Sequence, residues 1–333
     1  MNRFRFVDRF GRPLENLRIS VNSNCNYRCI FCHKEGVSSP DREIMSPEEV
    51  EAVVRVAVGY GVRKVKITGG EPLLREDLEE IVRRIKGVPG VEEVSLVTNG
   101  YFLEERVEGL SAAGLDRLNV SLHSMRRDVY REVTGVDGLE KVFRGIEKAS
   151  KLLRVKLNMV ILRGINEGEY LELIRYASRM RLPVQLIELE DPDPHSEMIR
   201  RYWYPMSEVE ETLKKVGGKL VRRRSMHNRP VYLVFGTEVV LVPAYMNPDF
   251  CMHCNRIRVT SDGKFKPCLF REDNVVPFLN ELRSGGDLDE LFRRAVVLRE
   301  PYYGWYLRVV NSRGRGQDDR CLQEGCRAQD SQG

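Results

Sequence analysis

No stretch of the 333 residues stays apolar over the roughly 18 positions that a membrane-spanning helix needs, which excludes an integral membrane protein of the helical type. The opening MNRFRF has too few apolar residues and too much charge for a secretory signal, so the chain is expected to be cytoplasmic, with no membrane partner. No basic stripe gathers the net charge of +5; Lys, Arg, Asp and Glu are interspersed almost everywhere. A nucleic-acid partner is therefore not expected, and the slight excess favours small anionic ligands. No cysteine lies between Cys32 and Cys251, although the chain has eight. In a reducing compartment, thiols crowded in this way serve as metal ligands or reactive groups rather than as four disulfides. The final segment from Asn311, NSRGRGQDDRCLQEGCRAQDSQG, has almost nothing apolar to bury and is expected to be mobile unless something binds it.

What is present is a repeated alternation of short β-branched runs with longer helical patterns. Strands are predicted at LRISV from Leu17, KVKIT from Lys64, EVSLV from Glu93, RLNVSL from Arg117, VKLNMVI from Val155 and VQLIE from Val184. Each is followed by an amphipathic segment. In SPEEVEAVVRVAVGYG, Ser46 caps the helix, Pro47 takes its first turn and Gly59 or Gly61 ends it. Six such units predict an α/β fold with a parallel sheet, either doubly wound or a complete or partial barrel. In both architectures ligands gather at the carboxyl ends of the strands. The pattern breaks at DPDPH, Asp191 to His195, giving a division into residues 1–195, a second region 196–305 and a tail 306–333. In the second region PVYLVF and EVVLVP predict a hairpin around Gly236 and Thr237, and IRVTS leads to a turn at Asp262 and Gly263.

Two cysteine triplets carry the chemistry. Cys25, Cys29 and Cys32 have C-x3-C-x2-C spacing just after the first predicted strand; Cys251, Cys254 and Cys268 have C-x2-C-x13-C spacing. A structural zinc site is normally closed by four protein ligands, so three thiolates point to an open position. A four-iron cluster held by three cysteines leaves one iron free for a ligand. Zinc remains open as an alternative, with His33 or His253 as a fourth ligand.

The C-x3-C-x2-C loop after strand one resembles the radical S-adenosylmethionine (SAM) superfamily, and TGGEP, Thr68 to Pro72, resembles its segment that meets the methionine amino group of SAM. FCMHCNRIRVTSDGKFKPCLF, Phe250 to Phe270, narrows the resemblance to the GTP 3′,8-cyclase family of molybdenum cofactor biosynthesis. LRISVNSNCNYRC, VKITGGEPLLR, LVTNG, RLNVSL and VKLNMVI match in order, so the resemblance spans roughly Gly11 to Tyr303. It implies a partial (β/α)6 TIM-like barrel of the radical SAM type with a C-terminal extension carrying a second iron–sulfur cluster. It also implies two [4Fe–4S] clusters, with Cys25, Cys29 and Cys32 holding the one that binds SAM and Cys251, Cys254 and Cys268 holding one that binds the purine of GTP. The implied chemistry is removal of the ribose C3′ hydrogen by a 5′-deoxyadenosyl radical and closure onto purine C8. An electron donor and a downstream cyclic pyranopterin monophosphate synthase are implied partners, and a homodimer is compatible with them.

The same resemblance assigns Phe31, Gly70, Ser121 and Glu190 to SAM, and Arg18, Lys66, Val97, Lys156, Arg256 and Arg258 to GTP. Asn99 and Gly100 are expected to shape the pocket. Relatives often place a methionine at the position of Glu190, and at Val97 any contact would come from the backbone. The lysines also stand out on physical grounds, because Lys66 and Lys156 interrupt apolar strands of a buried sheet, where an unpaired charge is costly. Arg256 and Arg258 alternate and so share a face of an extended segment. Bacterial relatives commonly end in two glycines, whereas this chain ends Gln332-Gly333, and Cys321 and Cys326 match no family position. Two rivals remain at this level: another radical SAM enzyme with an auxiliary cluster and a peptide substrate, and a zinc-stapled binding module without catalysis.

Overall fold

The computed structural model describes residues 6–36, 44–191, 193 and 195–309. The expected mobile tail from Asn311, with Cys321 and Cys326, lies outside the described residues. Six strands follow the predicted runs: β1 (Asn16–Ser20), β2 (Lys64–Thr68), β3 (Glu93–Thr98), β4 (Arg117–Ser121), β5 (Arg154–Val160) and β6 (Val184–Ile187). They pair in sequential order, all parallel. The connections hold α1 (Pro47–Gly59), α2 (Leu78–Gly87), α3 (Leu103–Ala112), α4 (Arg127–Thr134), α5 (Leu139–Ser150) and α6 (Tyr170–Arg179). At the start of α1, Ser46 caps the helix ahead of Pro47, as the sequence predicts, and Glu49 completes a reciprocal capping box.

The second region widens this sheet at both edges. Its strands are β7 (Lys219–Arg223), β8 (Pro230–Val234), β9 (Thr237–Val242), β10 (Arg256–Val259), β11 (Lys264–Lys266) and β12 (Val276–Pro277). The order across the sheet is β12-β11-β10-β1-β2-β3-β4-β5-β6-β9-β8-β7. Because β10 runs parallel to β1 and β9 parallel to β6, eight consecutive strands point the same way. The hairpin forms one residue earlier than the sequence suggests: Phe235 and Gly236 are the turn, with φ of 49° and 83°, and Thr237 already opens β9. Two positive φ values in a two-residue loop match the twist of the flanking strands. Strand β7 has no sequence signal; KLVRR is exposed throughout and is held by pairing with β8.

The period of two along each strand separates two environments. Leu17, Ile19, Val65, Ile67, Val94, Leu96, Leu118 and Val120 point outward against the helices and are buried. Each contributes about 1.5–3 kcal/mol relative to exposure, so the apolar outer face supplies stability that the polar inner face cannot. The alternating partners, among them Arg18, Lys66, Ser95, Asn119 and Lys156, face a cavity inside the curved sheet. Among the described residues no helix is long and apolar enough to cross a membrane.

Candidate active site

The cavity has a volume of about 1180 Å³ and runs the length of the strands, from Asn16, Lys64, Glu93 and Arg117 at their amino ends to Ser20, Thr68 and Ser121 at their carboxyl ends. All six triplet cysteines line it. Cys25, Cys29 and Cys32 sit in the loop leaving β1, at the carboxyl end. The second triplet lies at the other end. Cys251 belongs to a short helix, Pro248–Met252, Cys254 precedes β10, and Cys268 follows β11, which runs antiparallel to β10. Sequence positions more than 200 residues apart thus open into one space.

The donor sets suit thiolate-bound clusters. Burial, then Cys32 and Cys25, pushes the Cys29 thiol up to about 12; burial, with Cys268 and Cys254, pushes Cys251 up to about 12. The thiols of each triplet are therefore close enough to repel as thiolates, a cost that a bound metal cation removes. Cys254 differs: burial raises it, but Arg12, Arg299 and Arg256 outweigh that effect and hold it below the usual thiol range. Each histidine considered as a zinc ligand has its Nδ1 in a contact within the chain. His33 Nδ1 accepts the Glu35 amide at 3.1 Å, and His253 Nδ1 lies 2.9 Å from the Asp249 carbonyl, outside the cavity lining. Among the described residues no three His, Cys, Asp or Glu side chains form a site for a single metal ion.

The Gly-Gly-Glu-Pro turn after β2 is built against the first cysteine loop. Gly70 N donates to Asn22 O at 2.8 Å, Glu71 N to Asn24 O at 2.7 Å, and Asn22 Nδ2 to Glu71 O at 2.9 Å. A Cβ on Gly70 would lie 2.2 Å from Asn24 O, and one on Gly69 2.3 Å from Asn22 Oδ1. Both glycines are thus required for the approach of two backbones. Gly70→Ala is expected to displace the Asn22–Cys25 backbone and lower iron retention at the first triplet while sparing the second, measured by iron content and cluster EPR. The Glu71 carboxylate accepts from Thr98 Oγ1 at 2.6 Å, Asn99 N at 2.7 Å and Leu73 N at 3.0 Å.

Despite those bonds, burial raises Glu71 to about 7. Between pH 4.5 and 7 the folded state then binds a proton that the unfolded state has lost, so this group removes stability as pH rises through that window. The magnitude is roughly 3 kcal/mol at 1.36 kcal/mol per unit. In metal-free protein, Glu71→Gln is expected to remove that part of the pH slope, read from denaturant unfolding at pH 4.5 and 7.5.

The residues assigned to SAM line the same end. Phe31 packs edge-on against His123, with ring centroids 4.7 Å apart, and Gly70, Ser121 and Glu190 border the cavity. Glu190 also helps keep the buried Arg229 charged. Asn99 borders the cavity and donates to Asn26 Oδ1 at 2.8 Å. Gly100 does not line it. Its φ is 81°, and a Cβ there would meet Val120 Cγ1 at 2.9 Å, so its role is a backbone turn under Val142.

The residues assigned to GTP converge across neighbouring strands. Arg18 pairs in register with Lys66 on one side and Arg258 on the other, and Asn119 with Lys156 and Val97. Burial and the surrounding Arg256, Arg18, Arg229 and Arg117 push Lys66 well below its usual range; burial, Lys66 and Arg229 do the same to Lys156. Burial and Arg258 lower Arg256 to about 9. Arg18 is offset by Glu35 through a close ion pair, but the Nε atoms of Arg18 and Arg258 are buried without a hydrogen-bond partner. So many cations facing one another raise the energy of the folded protein unless an anion lies between them. Val97 contributes an apolar side chain to the wall.

Several cavity residues escaped the sequence reasoning. Arg229 donates to Gln185 Oε1 at 3.2 Å, the same atom that Lys156 Nζ reaches at 2.7 Å. Arg224 and Arg117 also line the cavity. Arg117, Asn119 and Ser121 alternate in RLNVSL, so the period-two argument used for the lysines would have found them. Arg224 and Arg229 flank a loop, and nothing in the local pattern marks them.

Residues 19–177 match the Radical SAM superfamily and residues 182–305 match Molybdenum Cofactor Synthesis C. A protein of Thermococcus kodakarensis named "Probable GTP 3′,8-cyclase" is 49% identical over 306 residues, covering 89% of this chain and 99% of that protein. One of the same name from Pyrococcus abyssi is 46% identical over 307 residues, with 89% and 99% covered. Among solved structures, Streptococcus suis SuiB bound to S-adenosylmethionine superposes with a TM-score of 0.63 at 15% identity, covering 87% of this chain and 67% of that one. anSMEcpe with bound AdoMet gives 0.60 at 18%, covering 85% and 81%. An α/β barrel with a three-cysteine loop after its first strand and a Gly-Gly-Glu-Pro turn after its second is the architecture of a radical SAM enzyme. Within that superfamily the chain belongs to the GTP 3′,8-cyclase family.

Proposed function

We propose that the chain is a GTP 3′,8-cyclase that converts GTP, with SAM and an electron, to (8S)-3′,8-cyclo-7,8-dihydroguanosine 5′-triphosphate, the first step of molybdenum cofactor biosynthesis. The observation that carries this reading is that both cysteine triplets and the buried cations open into one cavity. Its volume of about 1180 Å³ exceeds that of the usual single-ligand pocket, about 300–1000 Å³, and leaves room for two substrates. When bound, the first [4Fe–4S] cluster and SAM supply a 5′-deoxyadenosyl radical, and the second cluster an open iron for the purine.

The protein's own work is orientation. Phe31, Gly70, Ser121 and Glu190 take SAM at the carboxyl end of the barrel. Arg18, Lys66, Lys156, Arg256 and Arg258 hold the triphosphate, where guanidiniums give charge-assisted contacts, and the wall at Val97 stays apolar. Fixing both substrates in one enclosed space aligns the ribose with the radical source and keeps solvent away. Residues 1–195 supply the SAM side and residues 196–305 the purine side. An electron donor and a downstream cyclic pyranopterin monophosphate synthase are the partners that such a product requires, and a homodimer is the assembly to be sought in solution.

Anaerobic SAM cleavage with GTP, with ATP and without nucleotide tests the substrate. GTP alone should support coupled product formation. Equal cleavage in all three would favour a radical SAM enzyme with another substrate, such as a peptide.

A further inference from the structure

Beside the second triplet lie three buried charged side chains to which no substrate is assigned; Arg12 also borders the cavity, whereas Asp8 and Arg299 do not. Asp8, Arg12 and Arg299 are 5%, 4% and 1% exposed. Arg12 Nε lies 2.9 Å from Asp8 Oδ2, and Arg299 Nη1 lies 3.5 Å from the same oxygen. Asp8 Oδ1 accepts the backbone N–H groups of Phe10 and Arg12, each at 3.0 Å. Two guanidiniums therefore share one carboxylate, leaving one positive charge in the interior. Their remaining donors grip the C-x2-C turn at both ends: Arg12 Nη1 donates to Cys251 O at 3.1 Å, and Arg299 Nη2 to Cys254 O at 2.8 Å. Arg299 also reaches the carbonyls of Arg12 and Pro13, at 3.4 and 3.3 Å.

We propose that Asp8, Arg12 and Arg299 are positioning residues that set the reduction potential of the second cluster by holding a net single positive charge against the Cys251–Cys254 turn. The inference rests on the reading that Cys251, Cys254 and Cys268 ligate that cluster. An oxidised [4Fe–4S] core with three thiolates has a net charge of −1, and one-electron reduction takes it to −2. A fixed positive charge in a poorly screened interior stabilises the more negative, reduced form. Net charge and burial are among the determinants of such potentials, and the groups around the ligands are where a protein adjusts them. The alternative, a purely structural clamp, makes no distinction between removing the carboxylate and removing a guanidinium.

The test is an EPR-monitored redox titration of the anaerobically reconstituted full chain, with iron content measured alongside. Wild-type protein should carry about eight irons in two separately titrating clusters. Arg12→Gln and Arg299→Gln should move the second cluster to more negative potential, Asp8→Asn to more positive potential, and the first cluster should stay in place. Arg12→Lys keeps the charge and should remain near wild type. Shifts of one sign in all variants, or no shift at full iron content, would overturn the proposal. If the Arg→Gln variants lose the cluster, the sign of the Asp8→Asn shift decides. Loss of the cluster in Asp8→Asn as well, without rescue by Arg12→Lys, would reduce the trio to a clamp. A wild-type chain with only four irons would instead sink the ligand assignment beneath the proposal.

Discussion

Cys29→Ala is expected to halve the iron content, from about eight to about four per chain, and to take SAM cleavage to background. Cys29 is the central member of the first triplet and the most enclosed, with its thiol pushed up to about 12 by burial and by Cys32 and Cys25. A bound metal cation offsets the cost of a thiolate there. Two thiols cannot hold the cluster in the open three-ligand form, and nothing else in the cavity replaces a missing radical source. The second triplet lies at the opposite end of the strands and should keep its irons. Iron analysis together with chromatography of 5′-deoxyadenosine checks both halves of the expectation. Retained cleavage at half the iron would assign SAM to the wrong triplet.

Lys66→Met is expected to separate stability from function. Burial, with the repulsion of Arg256, Arg18, Arg229 and Arg117 across the cavity, lowers the pKa of Lys66 well below the ordinary lysine value. Removing a strained buried charge should stabilise the ligand-free fold by about 1 kcal/mol or more. Removing the partner of a triphosphate should cost about 2–5 kcal/mol in GTP binding, a fall of roughly 30- to several-thousand-fold in kcat/KM. The pH dependence has a definite sign. A depressed lysine binds fewer protons folded than unfolded, so stability rises with pH until the ordinary value near 10.5 is reached. Lys66→Met should flatten that rise, read from denaturant midpoints between pH 6 and 10. GTP should raise the midpoint of the wild type far more than that of the variant. A destabilised variant with unchanged GTP response would place Lys66 outside the substrate site.

The local features were the legible ones. Runs such as KVKIT and RLNVSL carry their period of two within five or six residues, and Ser46-Pro47 carries the cap of α1, so six strands and their helices follow from short windows. The cysteine spacings are equally local, and the lysines in apolar strands betray an anion by their cost. The unread features depend on long-range closure. Strands β9 and β10 extend the barrel at both edges by pairing with β6 and β1, and no local pattern announces those partners. Arg229 and Arg224 reach the cavity only because the β7–β8 connection folds over it, and Arg12 meets Arg299 across 287 residues of sequence. Gly100 illustrates the opposite error. Its place beside Asn99 at a strand end suggests pocket wall, yet its positive φ serves a turn packed on Val142.

In the proposed reaction one cavity aims a radical generated at Cys25, Cys29 and Cys32 at the ribose of a GTP held by the cations and the second triplet. Reconstituted protein incubated anaerobically with SAM, reductant and GTP deuterated at C3′ tests it directly, with 5′-deoxyadenosine and the nucleotide product weighed by mass spectrometry. One deuterium should be transferred to 5′-deoxyadenosine for each cyclised nucleotide formed. Cyclised product with the deuterium still on the sugar, or 5′-deoxyadenosine formed without label while GTP is recovered intact, would contradict it.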